Sequence, residues 1–462
     1  MSDLPHFERK MSDAEGLMWR LEKDPHLTST FANVTILDRR PNVEQLIRRM
    51  ERATFVIERL RQRVQPMPVN LSAPMWVDDP NFDIRYHVRH LALPKPGSTR
   101  QLLDLASLIA ADPFDRTRPL WQFYVIDGLR GGKSALVQKL HHTIADGETS
   151  VAMSLQFLDF ARDTPEPPPL DPSILERSSE LHDPHANPDL LRDLVASGLK
   201  MPIGLARQIR DLLADPAGIP DAGNAAADTI RGLVSQLSDT EQAHSPLWTK
   251  RSLQRRMEVL RTPFEATRAA AKRLGGTLNT AFLTAAAEAA GRYHDLQGAP
   301  VETLRASMAV STRTDDSGSN AFSLVRMIVP TDAMPIGERF AAVQASTVTA
   351  RETTSGGSLD ALAALAATLP TSVITRLARQ QAQTVDFATS NVRGAPMPLY
   401  LAGAEVLENY PVGPLAGVAF NLTLLSYNHS LDMGMNVDVA AVSDPELLRR
   451  CMEQAFSDLL EA

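Results

Sequence analysis

Two rhythms of apolar and polar residues run through the 462-residue chain. Spacing near 3.6 marks amphipathic helix; strict alternation, or a short apolar run bounded by turn residues, marks strand. Ser12-Asp13-Ala14-Glu15 has the capping-box pattern and predicts a helix start at Ser12. Residues 28–36 read as strand, and 43–54 as a helix whose apolar stripe is Leu46, Ile47 and Met50. Residues 82–88 alternate as a half-buried strand does. A helix is predicted over 102–110 and strands over 121–126 and 135–140, and helical spacing resumes over 148–160. Alternating helices and strands define an α/β domain.

The pattern then breaks. Residues 162–189 are rich in Pro, Asp, Ser and Glu and read as an exposed linker. In 190–213, apolar Leu194, Val195, Leu199, Ile203 and Ile209 are interspersed with Arg192, Lys200, Arg207 and Arg210, and Pro202 kinks or splits the stretch. This amphipathic segment is the candidate for contact with a membrane or lipid droplet; the commoner alternative is a helix packed on a domain. A second α/β rhythm follows. Strands are predicted over 257–260, 304–310, 323–329, 387–392, 418–425 and 431–439. Helices are predicted over 264–274, 278–293, 339–350, 359–379 and 445–460, with a polar loop at 312–320. The expected division is 1–165, a linker 166–246, and 247–462.

Composition narrows the classes. The net charge of -8, with no dominant basic stripe, argues against a nucleic-acid partner. Cys451 is the only cysteine, which excludes an intramolecular disulfide and a thiolate metal cluster. The N-terminus lacks a basic region followed by an apolar one, so a cytoplasmic protein without a secretory signal is expected. No run of 18 uncharged apolar residues is present, so no membrane span is predicted.

The chemistry concentrates at His141-His142-Thr143-Ile144-Ala145-Asp146-Gly147, at the end of the predicted strand 135–140. Successive side chains on a strand face opposite ways, so one histidine can enter a cleft while the other braces the backbone. A neutral imidazole there is suited to take a proton near pH 7. His-His-x-x-x-Asp-Gly resembles the signature of the CoA-dependent acyltransferase superfamily. Arg118-Pro119-Leu120-Trp121, Leu278-Asn279-Thr280, Ser390-Asn391-Val392, Pro398 to Gly403, Tyr410 to Pro414 and Leu425-Ser426-Tyr427 look like the bacterial wax ester synthase/diacylglycerol acyltransferase family, in the same order from about Met11 to Leu448.

The resemblance implies two chloramphenicol-acetyltransferase-like α/β domains with the active site at their interface. It implies His142 as general base in transfer from a fatty acyl-CoA to diacylglycerol, giving triacylglycerol, or to a long-chain alcohol, giving wax ester. CoA would then be a co-substrate, with no cofactor or metal required. His141 is expected to hold the strand end, and Asp146 to shape the site through a salt bridge, with Arg313 the guessed partner. Gly147 would let the chain turn tightly and approach the ligand. Trp121 either walls the acyl channel or packs in the core. Asn279 either orients the intermediate or caps the following helix, the cap being the safer reading. Ser390-Asn391 and Ser426-Tyr427 either reach the cleft or form turns. Glu22 resembles a family glutamate, but a solvated helix end is the stronger reading of its residues. Thr280 stands where the family usually has Asp. The alternatives are another acceptor for the same chemistry, or a lipid-binding relative without catalysis.

Rival motifs fail on context. Gly128 to Ser134 is one residue short of a P-loop and a strand follows it. No Gly-x-Ser-x-Gly elbow is present, and no His-Glu-x-x-His or cysteine ligands support a metal at the histidines.

Overall fold

The computed structural model describes residues 9–66, 73–167, 244–311, 322–354 and 371–462. The amphipathic segment 190–213, nearly all of the linker 166–246, the loop 312–320 with Arg313, and residues 359–370 lie outside them.

The capping box forms as the sequence predicts. Ser12 Oγ accepts from Glu15 N (3.2 Å), the Glu15 carboxylate accepts from Ser12 N (2.9 Å), and helix Asp13–Leu21 follows. Strands β1 (Thr30–Leu37), β2 (Gln62–Gln65), β3 (Met75–Asp78), β4 (Val88–Ala92), β5 (Trp121–Leu129) and β6 (Lys133–His141) come next in the chain. Gly128, at a register shift near the end of β5, and Gly131 and Gly132 in the β5–β6 turn have φ of 84°, 85° and 75°, so these glycines serve a hairpin rather than a phosphate cradle. The alternating stretch 82–88 departs from expectation. Asp83 Oδ1 accepts from Arg85 N (2.9 Å) and caps a short helix Ile84–His87, and the strand begins only at Val88. A local side-chain cap has here displaced the sheet ladder. The helix after the histidines, Gly147–Ser154, is also shorter than the predicted 148–160.

The second half supplies β7 (Arg255–Pro263), β8 (Thr303–Ser311), β9 (Phe322–Pro330), β10 (Phe387–Arg393), β11 (Tyr400–Leu401), β12 (Ala404–Val412), β13 (Phe420–Tyr427) and β14 (Ser430–Asp438). Its mixed sheet has the order β7-β14-β13-β10-β8-β9. Leu422, Leu424, Met433 and Met435 pack with the Ala-rich helix Leu278–Leu296 and the C-terminal helix Pro445–Glu461. Cys451 is buried there.

The first sheet does not follow the expected boundary at 247. Its order is β11-β12-β1-β6-β5-β4, so residues 400–412 of the second half complete the sheet of the first. The sequence reading had no strand there. Tyr410-Pro411-Val412 pairs with Ala32-Asn33-Val34 of β1. On one face of this sheet, Val34, Ile126 and Val137 pack on Leu102, Leu103 and Ala106 of helix Thr99–Ala111. On the other, Leu136, Leu140 and Phe123 face helix Val43–Val56 and an internal cavity.

Crossing from one sheet to the other brings β12 directly over β14. A Cβ added at Gly434 would lie 2.1 Å from the Pro411 carbonyl oxygen, so the crossing needs glycine. The buried Asp432 holds the crossing strand, accepting from Asn409 N (2.7 Å) and from Arg261 Nε (2.7 Å). Gly434→Ala should therefore destabilise the protein by about 2 kcal/mol by forcing the strands apart. A melting temperature equal to that of the native protein would refute the close-approach argument.

Candidate functional site

β6 ends at His141, and the chain turns, with Ile144 N donating to the His141 carbonyl (2.9 Å). Asp146 then caps helix Gly147–Ser154, its Oδ1 accepting from Thr149 N (2.8 Å). The two histidines diverge at this turn. His141 is buried among protein groups. Thr143 N donates to its Nδ1 (3.1 Å), so Nδ1 is the acceptor and the proton sits on Nε2, which donates to Glu22 Oε2 (3.1 Å).

Glu22 corrects the sequence reading. It is the C-cap residue of helix Asp13–Leu21, but its side chain is only 15% exposed and reaches the back of the histidine strand. Burial pushes its pKa up. Hydrogen bonds from His141, from the Thr28 hydroxyl (2.6 Å) and from Ser29 N (2.7 Å) outweigh burial and hold it at about 2. Its partners are far along the chain or across a turn, so nothing in the local pattern announced them.

His142 faces the other way, onto the cavity. Its backbone N donates to Ser29 O (3.0 Å), and its ring lies 4.7 Å from the Phe31 ring. Burial and then the neighbouring His141 lower its pKa to about 4, against opposing pulls from Asp146 and Glu22. At neutral pH the ring is therefore uncharged and able to accept a proton.

The cavity measures about 490 Å³ and is walled by both halves, mostly with apolar side chains. Phe31, Leu140, Met153 and Phe157 come from the first half, and Val392, Leu425 and Tyr427 from the second. Asp146, Gly147, Ser390 and Asn391 also line it. A Cβ on Gly147 would come within 2.8 Å of Val392 Cγ2. That glycine permits a close approach between halves, and its φ is not in the left-handed region.

Other candidates sit differently from their first reading. Asn279 is not the helix cap. Thr277 is, its Oγ1 accepting from Thr280 N (3.2 Å), while the Asn279 carbonyl oxygen accepts from the Asn391 amide. Thr280 places its hydroxyl 3.0 Å from that of Thr277, so the residue replacing the family Asp still joins the cap. Trp121 is fully buried in the core and is not a cavity wall residue. Its Nε1 donates to Leu60 O (2.8 Å) and its ring stacks on His87 at 4.5 Å; the next residue on that face, Phe123, reaches the cavity. Ser426 Oγ accepts from Gly394 N (3.3 Å). The buried Tyr427 hydroxyl accepts from Leu399 N and donates to Val406 O, both at 2.9 Å.

Two α/β lobes, the second lending two strands to the sheet of the first, with a cavity between them, form a fold found in solved structures. The starter condensation domain of rhizomide synthetase RzmA matches with a TM-score of 0.55 and 13% identity, over 98% of this chain and 94% of that one. The wax ester synthase/diacylglycerol acyltransferase from Marinobacter aquaeolei VT8 matches with a TM-score of 0.67 and 22% identity, over 98% of both chains. The expected chloramphenicol-acetyltransferase-like fold class thus holds. The family model for the wax ester synthase/diacylglycerol acyltransferase catalytic domain matches residues 11–282, and that for the WS/DGAT C-terminal domain matches 318–460. The chain belongs to this acyltransferase family. A Mycobacterium tuberculosis H37Rv protein named for diacylglycerol O-acyltransferase activity is 30% identical over 99% of this chain and 92% of its own length. A second protein so named from that strain, tgs1, is 27% identical over 96% of this chain and 94% of its own.

Replacing Glu22 tests the clamp. A carboxylate held near 2 rather than its ordinary 4.5 contributes stability that is fully present above about pH 4.5 and is lost as the pH falls towards 2. Glu22→Gln should melt below the native protein at neutral pH, and the gap should close between about pH 5 and 2. A gap independent of pH would show that the carboxylate does not hold His141.

Proposed function

We propose that the protein transfers a fatty acyl group from acyl-CoA to the hydroxyl of diacylglycerol or of a long-chain alcohol. The observation that carries this reading is the uncharged His142 ring on the wall of a largely apolar cavity between the lobes. His142 takes the proton of the acceptor hydroxyl as its oxygen attacks the thioester carbonyl. The carbon–sulfur bond then breaks and the proton passes from the imidazolium to the departing CoA thiolate, so the step needs no external acid. The apolar wall serves lipid chains and keeps out water, which competes for the thioester.

Asp146 acts here by capping the turn that aims His142, and His141 by anchoring the strand end, rather than by moving protons. Asn391, paired to Asn279, lines the cavity from the second lobe, which supports a role for it in binding substrate. Both acceptors partition into lipid. Leu155 and Leu324 line the cavity yet are 42% and 50% exposed, which supports substrate entry from a lipid surface. No helix among the described residues is long and apolar enough to cross a membrane, so such contact would be peripheral.

The test mixes purified protein with palmitoyl-CoA and either diacylglycerol or hexadecanol, then identifies the lipid product alongside thiol release. His142→Ala should lower kcat by about 10²–10⁴. If native protein forms no ester with either acceptor, the proposed reaction is wrong. The acid limb of the rate profile gives a second check. With His142 at about 4, activity should stay level from pH 8 down to about 5 and fall below that. A limb centred near the ordinary histidine value of 6.5 would contradict the depression of His142 by burial.

A further inference from the structure

Along β6 the cavity wall presents Leu136, Gln138 and Leu140 before His142. Gln138 is a polar interruption in an apolar row. It lies opposite Asn33 on β1, and on the other side of β1 Thr35 lies opposite Asn409 of the crossing strand β12. All four side chains line the cavity. Asn33 Nδ2 lies within hydrogen-bond distance of Gln138 Oε1 (3.0 Å), Asn409 Oδ1 (2.6 Å) and Thr35 Oγ1 (3.0 Å), and its two hydrogens serve the two carboxamide oxygens. The Thr35 hydroxyl in turn donates to Asn409 Oδ1 (2.8 Å).

The orientation of both carboxamides follows from these bonds. Their oxygens are occupied, and their NH2 groups are left over as donors on a wall that is mostly apolar. Once a substrate fills the cavity and displaces water, such donors cost free energy unless an acceptor meets them. An alkyl chain supplies none, whereas a carbonyl oxygen does. We propose that Gln138 and Asn409 bind a carbonyl oxygen of the substrate. That oxygen is an ester carbonyl of the acylglycerol acceptor or the distal amide carbonyl of the pantetheine arm of acyl-CoA. Four strand residues set Gln138 about 13 Å from His142 along the backbone. The pair therefore reads a group some way from the reacting bond, and a long-chain alcohol offers it no carbonyl at all.

This assignment rests on the acyl transfer proposed above, and the experiment separates the two. Gln138→Met and Asn409→Leu, singly and together, remove the donors without adding charge. Each variant is assayed for two ratios of kcat/KM. One compares diacylglycerol with hexadecanol, both with palmitoyl-CoA. The other compares palmitoyl-CoA with palmitoyl-N-acetylcysteamine, which keeps only the proximal amide, both with hexadecanol. Ratios taken within one variant cancel any general loss of folded protein. A fall of about tenfold in the first ratio assigns the pair to the acylglycerol ester, and the same fall in the second assigns it to pantetheine. Both ratios within about twofold of native, with ester still formed, overturn the assignment. Native protein inert with every substrate pair instead removes the acyl transfer reading itself.

Discussion

The bond from His141 Nε2 to Glu22 ties the end of β6 to the end of the first helix, and the geometry of the site depends on it. Because Thr143 N occupies Nδ1, the ring has one tautomer and one direction in which to donate. With His141 locked on the back of the sheet, the turn that follows carries His142 to the front. Glu22 is in turn braced by Thr28 and Ser29, and Ser29 also accepts from His142 N. One carboxylate thus organises the backbone on both sides of the histidine pair.

The cavity is a product of strand exchange. If the second half kept β12 in its own sheet, the first sheet would end at β1 and its Asn33 face would lack a wall. By crossing over Gly434 and pairing with β1, residues 404–412 close that side, and Pro411, Val412 and Gly413 enter the lining. Helix Gly147–Ser154 crosses in the opposite sense, pressing Gly147 against Val392 of β10. The halves therefore interlock at two points, and the histidine lies between them. A cleft made in this way is deep and apolar, since both walls are sheet faces that would otherwise be core.

Burial shifts the two titratable groups of the turn in opposite directions. It depresses His142 by penalising the imidazolium, which leaves the ring uncharged at neutral pH. It would neutralise Glu22 as well, but three hydrogen bonds keep that carboxylate ionised. The difference is one of donors. Glu22 is surrounded by groups that point N–H and O–H at it, and His142 faces chiefly hydrocarbon.

Much of the secondary structure was legible in the amino-acid order alone. The capping box at Ser12, the Leu46-Ile47-Met50 stripe and the apolar run into His141 depend on residues a few positions apart, and those forces act locally. The family motifs were legible for the same reason. Two local caps differ from the sequence reading, Asp83 drawing residues 84–87 into a helical turn and Thr277 rather than Asn279 capping its helix, because several nearby residues could have played the part; residues 404–412 leaving one half for the other's sheet was set by distant partners and lay beyond reach. Glu22 is the sharpest case. Its sequence neighbours are those of a solvated helix end, and only packing against β6, 119 residues away, makes it a half-buried, firmly held carboxylate. The sequence by itself determined most of the helical and strand segments and where the paired histidines stand. Tertiary structure decided which side chains surround them, because burial and hydrogen-bond partnership arise between segments that the chain order does not bring together.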